Sequence, residues 1–295
     1  MHVRETAHRA VTILGCGLMG SAFVRVLSGE GIPVTVWNRN PARAHALAGP
    51  EVTVADSAVD AVRAAEVVVS ILLDYDSLRN VIGDVELDGR AVVNLATGSV
   101  EDAAAMQAWV HSRGGLYLDG AIIAYPQNIG HDECMIVYSG SSTVFAEFRE
   151  LLMRFGPASL HTGEQIDGAN VLDGGISGAF MVSALAAFVE SAAYVHRSGV
   201  SGEAVRAVTR SMMSVLQEQM DTALANIKAG SHATDQATVS VYSDAARSWQ
   251  DAVEKSGQRA TMLGAANKLL SAAEDSGLGS LGFSSLALLT GVHSG

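Results

Sequence analysis

Three glycines spaced G-x-G-x-x-G are the first feature of this chain that could do chemistry. They are Gly15, Gly17 and Gly20, and they follow the short apolar run 11–14. In such a turn the first glycine permits the tight bend, the second lets backbone approach a pyrophosphate, and the third lets helix pack on strand. The N–H groups at the start of that helix favour phosphate. The turn therefore predicts a dinucleotide site with contacts from Gly15, Gly17, Leu18, Met19 and Gly20.

The residues after the second apolar run, 34–37, indicate which dinucleotide is bound. An NAD site usually has Asp or Glu here to bond the ribose hydroxyls. This chain instead has Asn38, Arg39 and Asn40, with Arg43 one helical turn later. A carboxylate would repel a 2′-phosphate, whereas a guanidinium binds it through two parallel hydrogen bonds. The segment therefore predicts NADPH, and the alternative is a glycine turn in an α/β domain with surface arginines.

Composition and charge argue against several other classes of function. The formal net charge is −12 and the basic residues are scattered, which argues against a nucleic-acid binder. The nine histidines form no H-x-x-x-H pair and no cluster with cysteine, so no metal site is predicted. The two cysteines, Cys16 and Cys134, match no metal spacing and are expected to be free thiols in a reducing compartment.

The N-terminal segment and the apolar runs predict a cytoplasmic protein without a membrane partner. Residues 1–9 are polar and fit no signal peptide. Each apolar segment of transmembrane length is interrupted by glycine or charge. Hydrophobic residues make up 48% of the chain and charged residues 17%, so its 295 residues can form two modest domains with a sizeable core.

Alternating strand and helix patterns must position the glycine turn. Through residue 163, helical periodicities separate short apolar runs, and Ser57 is placed to N-cap one of the helices. This alternation predicts an α/β N-terminal Rossmann domain, with a doubly wound parallel sheet, over residues 1–163. The predicted strands are 11–14, 34–37, 52–54, 67–72, 91–95, 116–119 and 135–138.

Strand patterns vanish after residue 163. A long apolar helix is predicted over 170–198, interrupted at Gly174, Gly175 and Gly178. Further helices are predicted at 202–227, 237–256, 261–276 and 284–289. Residues 164–295 are therefore expected to form an all-α C-terminal domain that includes the long interdomain helix. Because its helices are Ala-rich and weakly charged, they are expected to bury faces against another chain as well as their own.

Several motifs together resemble the imine reductase and reductive aminase family, a branch of the β-hydroxyacid dehydrogenase superfamily. Residues 14–20 resemble its GxGxMG turn, and residues 37–40 resemble its W-N-R-T cofactor motif. The more specific similarities are to L-x-D-Y at 72–75, N-L-T-S/N-G-T at 94–99, Y-L-D-G-A-I at 117–122 and Y-S-G at 138–140. The resemblance covers nearly the whole chain.

This resemblance implies transfer of hydride from NADPH to a C=N bond, and some members also condense a carbonyl with an amine. It implies a domain-swapped homodimer, with the active site between one chain's Rossmann domain and the other's helical domain. It adds Leu72, Leu73, Asn94 and Thr97 to the expected cofactor contacts. The expected partners are a small imine or amine substrate and a second copy of the chain.

The resemblance also suggests catalytic residues. Asp173 resembles the family's helix aspartate, which holds the amine or iminium; the alternative is a helix-start or surface Asp paired with a nearby donor. Thr97 resembles the Ser or Asn beside the nicotinamide, with a turn cap as the alternative. Tyr242 lies near the substrate-facing helix, and a core or interface side chain is an equal alternative. Asp119 is expected to hold structure beneath the site.

One position departs from the family pattern. Eight residues after Asp173, where members usually have Tyr or Asp as a proton donor, this chain has Met181. A thioether cannot donate a proton. Either another residue or a water supplies the proton, or the substrate arrives already protonated.

Three hypotheses for the function follow. The preferred one is an NADPH-dependent imine reductase that reduces a cyclic imine or iminium to an amine. The second is an NADPH-dependent carbonyl or hydroxyacid reductase of the same superfamily. Hydroxyacid dehydrogenases of that superfamily use a lysine on the interdomain helix, and residues 168–175 hold none. The third is an NADPH-binding protein with little catalysis, which Met181 keeps open.

Overall fold

The structure is a computed structural model that describes residues 10–291. The chain folds into two compact units, and the division falls between Phe180 and Met181. The predicted domain boundary after residue 163 stays a prediction. The polar N-terminal segment 1–9, for which no signal peptide is expected, lies outside the described residues.

The first unit is built on one eight-stranded sheet in the order β3-β2-β1-β4-β5-β6-β7-β8. Strands β1 to β6 run parallel, so their carboxyl ends lie along one edge of the sheet. The strand order reverses between β1 and β4, which is where doubly wound sheets bind their ligands. The strands are β1 Val11–Leu14, β2 Val34–Trp37, β3 Val52–Val54, β4 Val67–Ser70, β5 Ala91–Asn94, β6 Leu116–Ile123, β7 Met135–Gly140 and β8 Leu160–His161.

Helices connect most of these strands, and their first turns carry side-chain caps where the sequence supplies them. Ser57 caps α3 as predicted, by accepting a hydrogen bond from the backbone N–H of Asp60 at 3.1 Å. Ser99 and Asp102 form a capping box at α5. The helices are α1 Leu18–Gly29, α2 Pro41–His45, α3 Ala58–Arg63, α4 Tyr75–Ile82, α5 Val100–Ser112, α6 Ser142–Phe155 and α7 Gly168–Leu172.

Apolar side chains cover both faces of the sheet. On one face Phe23 of α1 meets Phe155 of α6, with ring centroids 4.5 Å apart. On the other face Leu78 of α4 and Met106 of α5 are fully buried. All four residues of β4 are buried, as expected for a strand covered on both faces. Burying one such large side chain contributes about 1.5–3 kcal/mol.

Two features of the sheet correct the sequence prediction. Strand β7 runs antiparallel to β6, so the sheet is mostly, not entirely, parallel. The segment between them holds only a 3₁₀ turn, Pro126–Asn128, in place of a crossover helix, and without a crossover the chain must return antiparallel. The two-residue strand β8, parallel to β7, was not predicted because it is too short to show a pattern.

The second unit is helical, as predicted, within the part that the structure describes. Its helices are α8 Ser183–Arg197, α9 Gly202–Ala229, α10 Val239–Lys255 and α11 Thr261–Asp275, followed by a 3₁₀ segment, Phe283–Leu289. Its small core includes Val239, Leu270 and Leu286. The Glu190 carboxylate of α8 caps α11, accepting from the N–H groups of Thr261 at 2.8 Å and Met262 at 3.0 Å.

The predicted long helix is present as one continuous helical run, Gly168–Arg197, made of three consecutive segments. Between α7 and α8 the chain forms a π-helix, Asp173–Val182, which contains Gly174, Gly175 and Gly178. Glycine weakens an α-helix. Turns of π-helix are rare in proteins, and those that occur are often found at functional sites. An 18-residue window of the helical run Gly168–Arg197 has a mean hydropathy of 1.6 and none of that window is buried, so by length and composition alone the run could cross a membrane. Gly174, Gly175 and Gly178 interrupt the apolar residues of this run, as the sequence predicts, and the absence of a membrane partner stays a prediction.

Candidate functional site

A cleft of about 1040 Å³ lies along the carboxyl ends of the parallel strands. It brings together most of the predicted site residues from five separate segments of the chain. Its volume is at the upper end of the range typical of small-molecule and cofactor sites. The predicted residues that line it are Gly15, Gly17, Leu18, Met19, Gly20, Asn38, Arg39, Asn40, Arg43, Leu72, Leu73, Thr97 and Asp173.

The three glycines have the geometry that a dinucleotide turn requires. Gly15 has φ +103°, and a Cβ there would lie 2.4 Å from the Ile71 carbonyl oxygen. A Cβ on Gly20 would lie 1.8 Å from the Gly15 carbonyl oxygen, so only glycine lets α1 start this close to β1. A Cβ on Gly17 would meet no protein atom within 4 Å. The protein itself therefore leaves space at Gly17, and that space suits the close approach of a pyrophosphate.

The loop after β2 is held against the glycine turn by one side-chain amide. Asn38 Oδ1 accepts a hydrogen bond from the Cys16 N–H at 3.0 Å, and Asn38 Nδ2 donates to the Asn40 carbonyl at 2.9 Å. A carboxylate could make the first bond but not the second, because it has no hydrogen to donate. Arg39 and Arg43 are exposed and line this end of the cleft.

The loops after β4 and β5 form the middle of the cleft. Leu72 and Leu73 line it, and the Leu73 side chain is 84% exposed. Thr97 also lines it. Asn94, predicted as a cofactor contact, is instead fully buried at the end of β5 and does not line the cleft.

Asp173 lies at the far end of the cleft from the arginines. It follows directly after α7, which packs against β6 and β7, whereas Arg39 and Arg43 follow β2 on the other side of β1. Its side chain is half-buried and lines the cleft. The cleft thus carries two cations at one end and one anion at the other.

The remaining candidates lie in the second unit. Tyr242 of α10 is half-buried, and its ring meets Phe283 edge-on with centroids 5.0 Å apart. Asp244 pairs with Arg247 at 2.7 Å. Met181 is 44% exposed. These positions suit the structural interpretation of Tyr242, and its catalytic role stays a prediction.

A buried polar cluster beneath the cleft is the main feature that sequence reasoning missed. The Asp119 carboxylate accepts hydrogen bonds from the Tyr75 hydroxyl at 2.7 Å, the Tyr117 hydroxyl at 2.8 Å and the Gly120 N–H at 2.8 Å. Asn170 Nδ2 in turn donates to the Tyr75 hydroxyl oxygen at 2.8 Å.

Burial dominates the electrostatics of this cluster. It raises the pKa of Asp119 from its ordinary 3.8 to about 7, although the hydrogen bonds from Tyr75, Tyr117 and Gly120 act in the opposite direction. Burial and the neighbouring carboxylate also raise the pKa of both tyrosines. The expectation that Asp119 holds structure beneath the site agrees with its full burial.

Among residues 10–291, no group of three or more His, Cys, Asp or Glu side chains could hold a metal ion. Cys16 and Cys134 are both free and buried. Burial raises the pKa of the Cys16 thiol to about 11, which makes it a poor nucleophile.

Family models match both halves of the chain. One, described as the NAD binding domain of 6-phosphogluconate dehydrogenase, matches residues 10–163, which is more than half of the chain. Another, described as NADPH-dependent reductive aminase-like, C-terminal domain, matches residues 179–291. Together with the sheet and its cleft, these matches define an oxidoreductase of the NAD(P)-dependent dehydrogenase superfamily.

Individual proteins similar to this chain include imine reductases, reductive aminases and a semialdehyde reductase. The imine reductase from Myxococcus stipitatus in complex with NADP+ is 29% identical, with a TM-score of 0.87 over 95% of this chain and 99% of that one. The NADPH-dependent reductive aminase of Aspergillus oryzae is 30% identical over 134 residues, and glyoxylate/succinic semialdehyde reductase 1 of Arabidopsis thaliana is 23% identical over 199 residues. The matched segments cover 45% of this chain and 45% of the aminase, and 65% of this chain and 68% of the semialdehyde reductase. The chain thus belongs to the family of the NAD binding domain of 6-phosphogluconate dehydrogenase through residues 10–163, and its C-terminal half and the solved relative just named are similar to reductive aminases and imine reductases.

These findings decide several predictions. The family resemblance and the fold class are confirmed, apart from the antiparallel strand β7. The cofactor class is confirmed as well, because the N-terminal domain is an NAD-binding domain and the solved relative just named holds NADP+.

Proposed function

We propose that this chain is an NADPH-dependent reductase that reduces a cyclic imine or iminium to an amine. The charge pattern of the cleft supports this function most strongly. Among its lining residues within 10–291, Asp173 is the acidic side chain, Arg39 and Arg43 are the basic ones, and none is a lysine.

The carboxylate favours C=N over C=O as the reacting bond. An imine accepts hydride well only when protonated, and a nearby carboxylate stabilises that cation. A carbonyl oxygen instead gains negative charge as hydride arrives, which Asp173 would oppose.

The other residues of the cleft bind NADPH and orient the substrate. Bound NADPH supplies the hydride. Arg39 and Arg43 hold the 2′-phosphate, and the Gly17 turn with the first N–H groups of α1 holds the pyrophosphate. Leu72 and Leu73 give apolar contact, and the Thr97 hydroxyl orients the substrate or the carboxamide.

A carbonyl or hydroxyacid reductase is the second candidate, favoured by the similarity to the semialdehyde reductase. One assay separates the candidates: purified protein is mixed with NADPH and cyclic imines or ketones, and in parallel with NADP+ and hydroxyacids, and the consumption or formation of NADPH is followed. Imine-dependent oxidation supports our proposal, whereas turnover of ketones or hydroxyacids only would refute it. NADPH binding without any turnover would identify a binding protein.

Arg39→Ala should weaken NADPH binding roughly 10- to 100-fold while changing NADH binding less than about threefold. The guanidinium can bond only the 2′-phosphate, and charge-assisted bonds of this kind are worth about 1.5–3 kcal/mol. Titration calorimetry with both coenzymes measures the difference. Arg25→Ala, at an exposed position of α1 outside the cleft lining, is the control. Equal losses for the two coenzymes would reject the assignment.

The proposal includes a homodimer in the cytoplasm. Helices α8 and α9 expose many large apolar side chains, among them Leu185, Val189, Met213 and Leu224. Faces of this kind mark association surfaces. We expect a mass of about twice 30.6 kDa by light scattering in detergent-free buffer. Leu224→Glu, at a position 67% exposed, should shift the protein toward monomer without unfolding it. A wild-type monomer, or a need for detergent, would contradict this expectation.

A further inference from the structure

One side-chain amide connects the helical segment that leads into Asp173 with the loop that carries Thr97. Asn170 Nδ2 donates to the Tyr75 hydroxyl oxygen at 2.8 Å and to the Gly98 carbonyl at 3.1 Å. Asn170 lies three residues before Asp173, and Gly98 directly follows Thr97. The Asn170 side chain is buried, with 8% of the residue exposed.

We propose that Asn170 is a positioning residue, whose amide fixes the Asp173 carboxylate relative to the Thr97 hydroxyl. This inference rests on the proposed function and adds a residue that acts on the site without lining it. Its role is separate from cofactor binding, because the glycine turn and the Arg39 loop make no hydrogen bond to Asn170 among those that the described residues show.

The segment that carries Asp173 needs such an anchor. Helix α7 has five residues and continues directly into the π-helix. That π-helix contains three glycines, and glycine weakens helical structure. A second anchor, Ser139 Oγ, accepts from the Ala169 N–H at 3.2 Å, but it joins α7 to β7. The Asn170 amide is the bond that also reaches the Thr97 loop.

The partners of Asn170 are themselves held in place. A Cβ on Gly98 would lie 2.2 Å from the Tyr75 ring, so the loop can rest on that ring only because residue 98 is glycine. The Tyr75 hydroxyl donates its hydrogen to Asp119 and therefore presents a lone pair to Asn170. The cluster thus determines which way the Asn170 amide points.

Asn170→Ala should lower kcat for a cyclic imine roughly 10- to 100-fold while NADPH affinity stays within about twofold. A displacement of about 1 Å between groups that act together has an effect of this size. Tyr75→Phe, which keeps the ring and removes the hydroxyl, should lower kcat in the same direction. Asn267→Ala is the matched control, since Asn267 is also a buried asparagine, 7% exposed, and its amide donates to Gln250 within the second unit.

A double-mutant cycle separates positioning from a general loss of stability. If Asn170 acts through Asp173, adding Asn170→Ala to Asp173→Asn should lower kcat by less than about threefold further. Hydrogen exchange should also accelerate at residues 97–99 and 168–173 in Asn170→Ala and not in Asn267→Ala.

The outcomes are distinct. A wild-type protein that turns over no imine would refute the proposed function. An active wild-type protein with unchanged kcat in Asn170→Ala, or with fully additive losses in the cycle, would refute only the positioning role. A loss of kcat in Asn267→Ala equal to that in Asn170→Ala would also refute it, because destabilisation alone would then explain the effect.

Discussion

Asp173→Asn should lower kcat/KM for a cyclic imine roughly 100- to 1000-fold, and it should leave NADPH affinity within about twofold. The amide keeps the shape of the side chain but no longer stabilises a protonated imine, and effects of this kind are typically 10²–10⁴-fold. NADPH affinity is spared because Arg39, Arg43 and the glycine turn lie toward the β2 end of the cleft. Steady-state kinetics and calorimetry measure the two quantities.

The same variant distinguishes two roles for the carboxylate. An N-methylated cyclic iminium carries its positive charge without needing a proton. If Asp173 stabilises the cation, Asp173→Asn should raise KM for this substrate. If Asp173 instead donates the proton, the iminium should be reduced at the wild-type rate with an unchanged KM, and only the neutral imine should suffer.

A control and a contrary outcome sharpen this test. Asp167→Asn changes a carboxylate to an amide six residues earlier, outside the cleft lining, and should leave turnover near wild type. Full imine reduction by Asp173→Asn would show that the carboxylate has no role in the chemistry. Since the Met181 thioether cannot donate a proton, Tyr242 would then be the next candidate to replace.

The predicted site residues that the structure brings together along the cleft follow from short sequence patterns. Gly15 and Gly20 must be glycine because backbone atoms of Ile71 and Gly15 leave no room for a Cβ, Gly17 leaves space for a pyrophosphate, and the G-x-G-x-x-G spacing alone predicts all three. Asn38 and Arg39 follow because the second strand of such a sheet ends beside the first. These residues lie along one cleft because they follow parallel strands, whose carboxyl ends share one edge of the sheet.

The parts that the sequence does not reveal depend on distant contacts. Asn170 and Tyr75 are 95 residues apart, and Tyr75 and Asp119 are 44 apart, so no local pattern links them. A lone asparagine inside the apolar stretch 169–172 was the available signal, because a buried amide needs partners. Asn94 was assigned to the cofactor from its motif, but the motif does not show that this residue is fully buried at the end of β5.

The direction of β7 and the π-helix were missed for a related reason. The direction of β7 depends on the segment that connects it to β6, and the π-helical turns depend on how the chain joins α7 to α8. Neither is encoded by a residue pattern within the element itself. The sequence between β6 and β7 contains Pro126 but no helical periodicity, which in retrospect indicated a hairpin-like return. At 173–182 the three glycines predicted an interruption, but glycine content does not specify a wider helical turn.

The buried Asp119 should make the free energy of unfolding fall as pH rises from about 5 to 8. In the folded protein its pKa is about 7, whereas in the unfolded chain it should be near 3.8. Between these values the folded state keeps a proton that the unfolded state releases, so raising the pH favours unfolding. The difference between these two pKa values corresponds to about 4 kcal/mol of stability, of which about 3 kcal/mol should be lost between pH 5 and 8.

Comparison with Asp119→Asn isolates this contribution. Urea unfolding of both proteins at pH 5 and pH 8 gives two pH-dependent losses, and the loss should be smaller in the variant by about 3 kcal/mol. Every other titrating group is common to both proteins and cancels in the difference. Asp132→Asn, at an exposed position, should keep the wild-type loss. Equal pH dependence in wild type and Asp119→Asn would mean that the buried carboxylate keeps an ordinary pKa.

Removing a tyrosine hydroxyl that bonds Asp119 should move the pH-dependent loss of stability to higher pH. The bonds from Tyr75 and Tyr117 lower the pKa of Asp119 against the larger effect of burial. Tyr117→Phe removes one of them without changing the ring, so the pKa should rise further and the loss of stability should extend above pH 8. A loss confined to lower pH than in wild type would contradict this argument, because it would mean that the hydroxyl had destabilised the charged carboxylate.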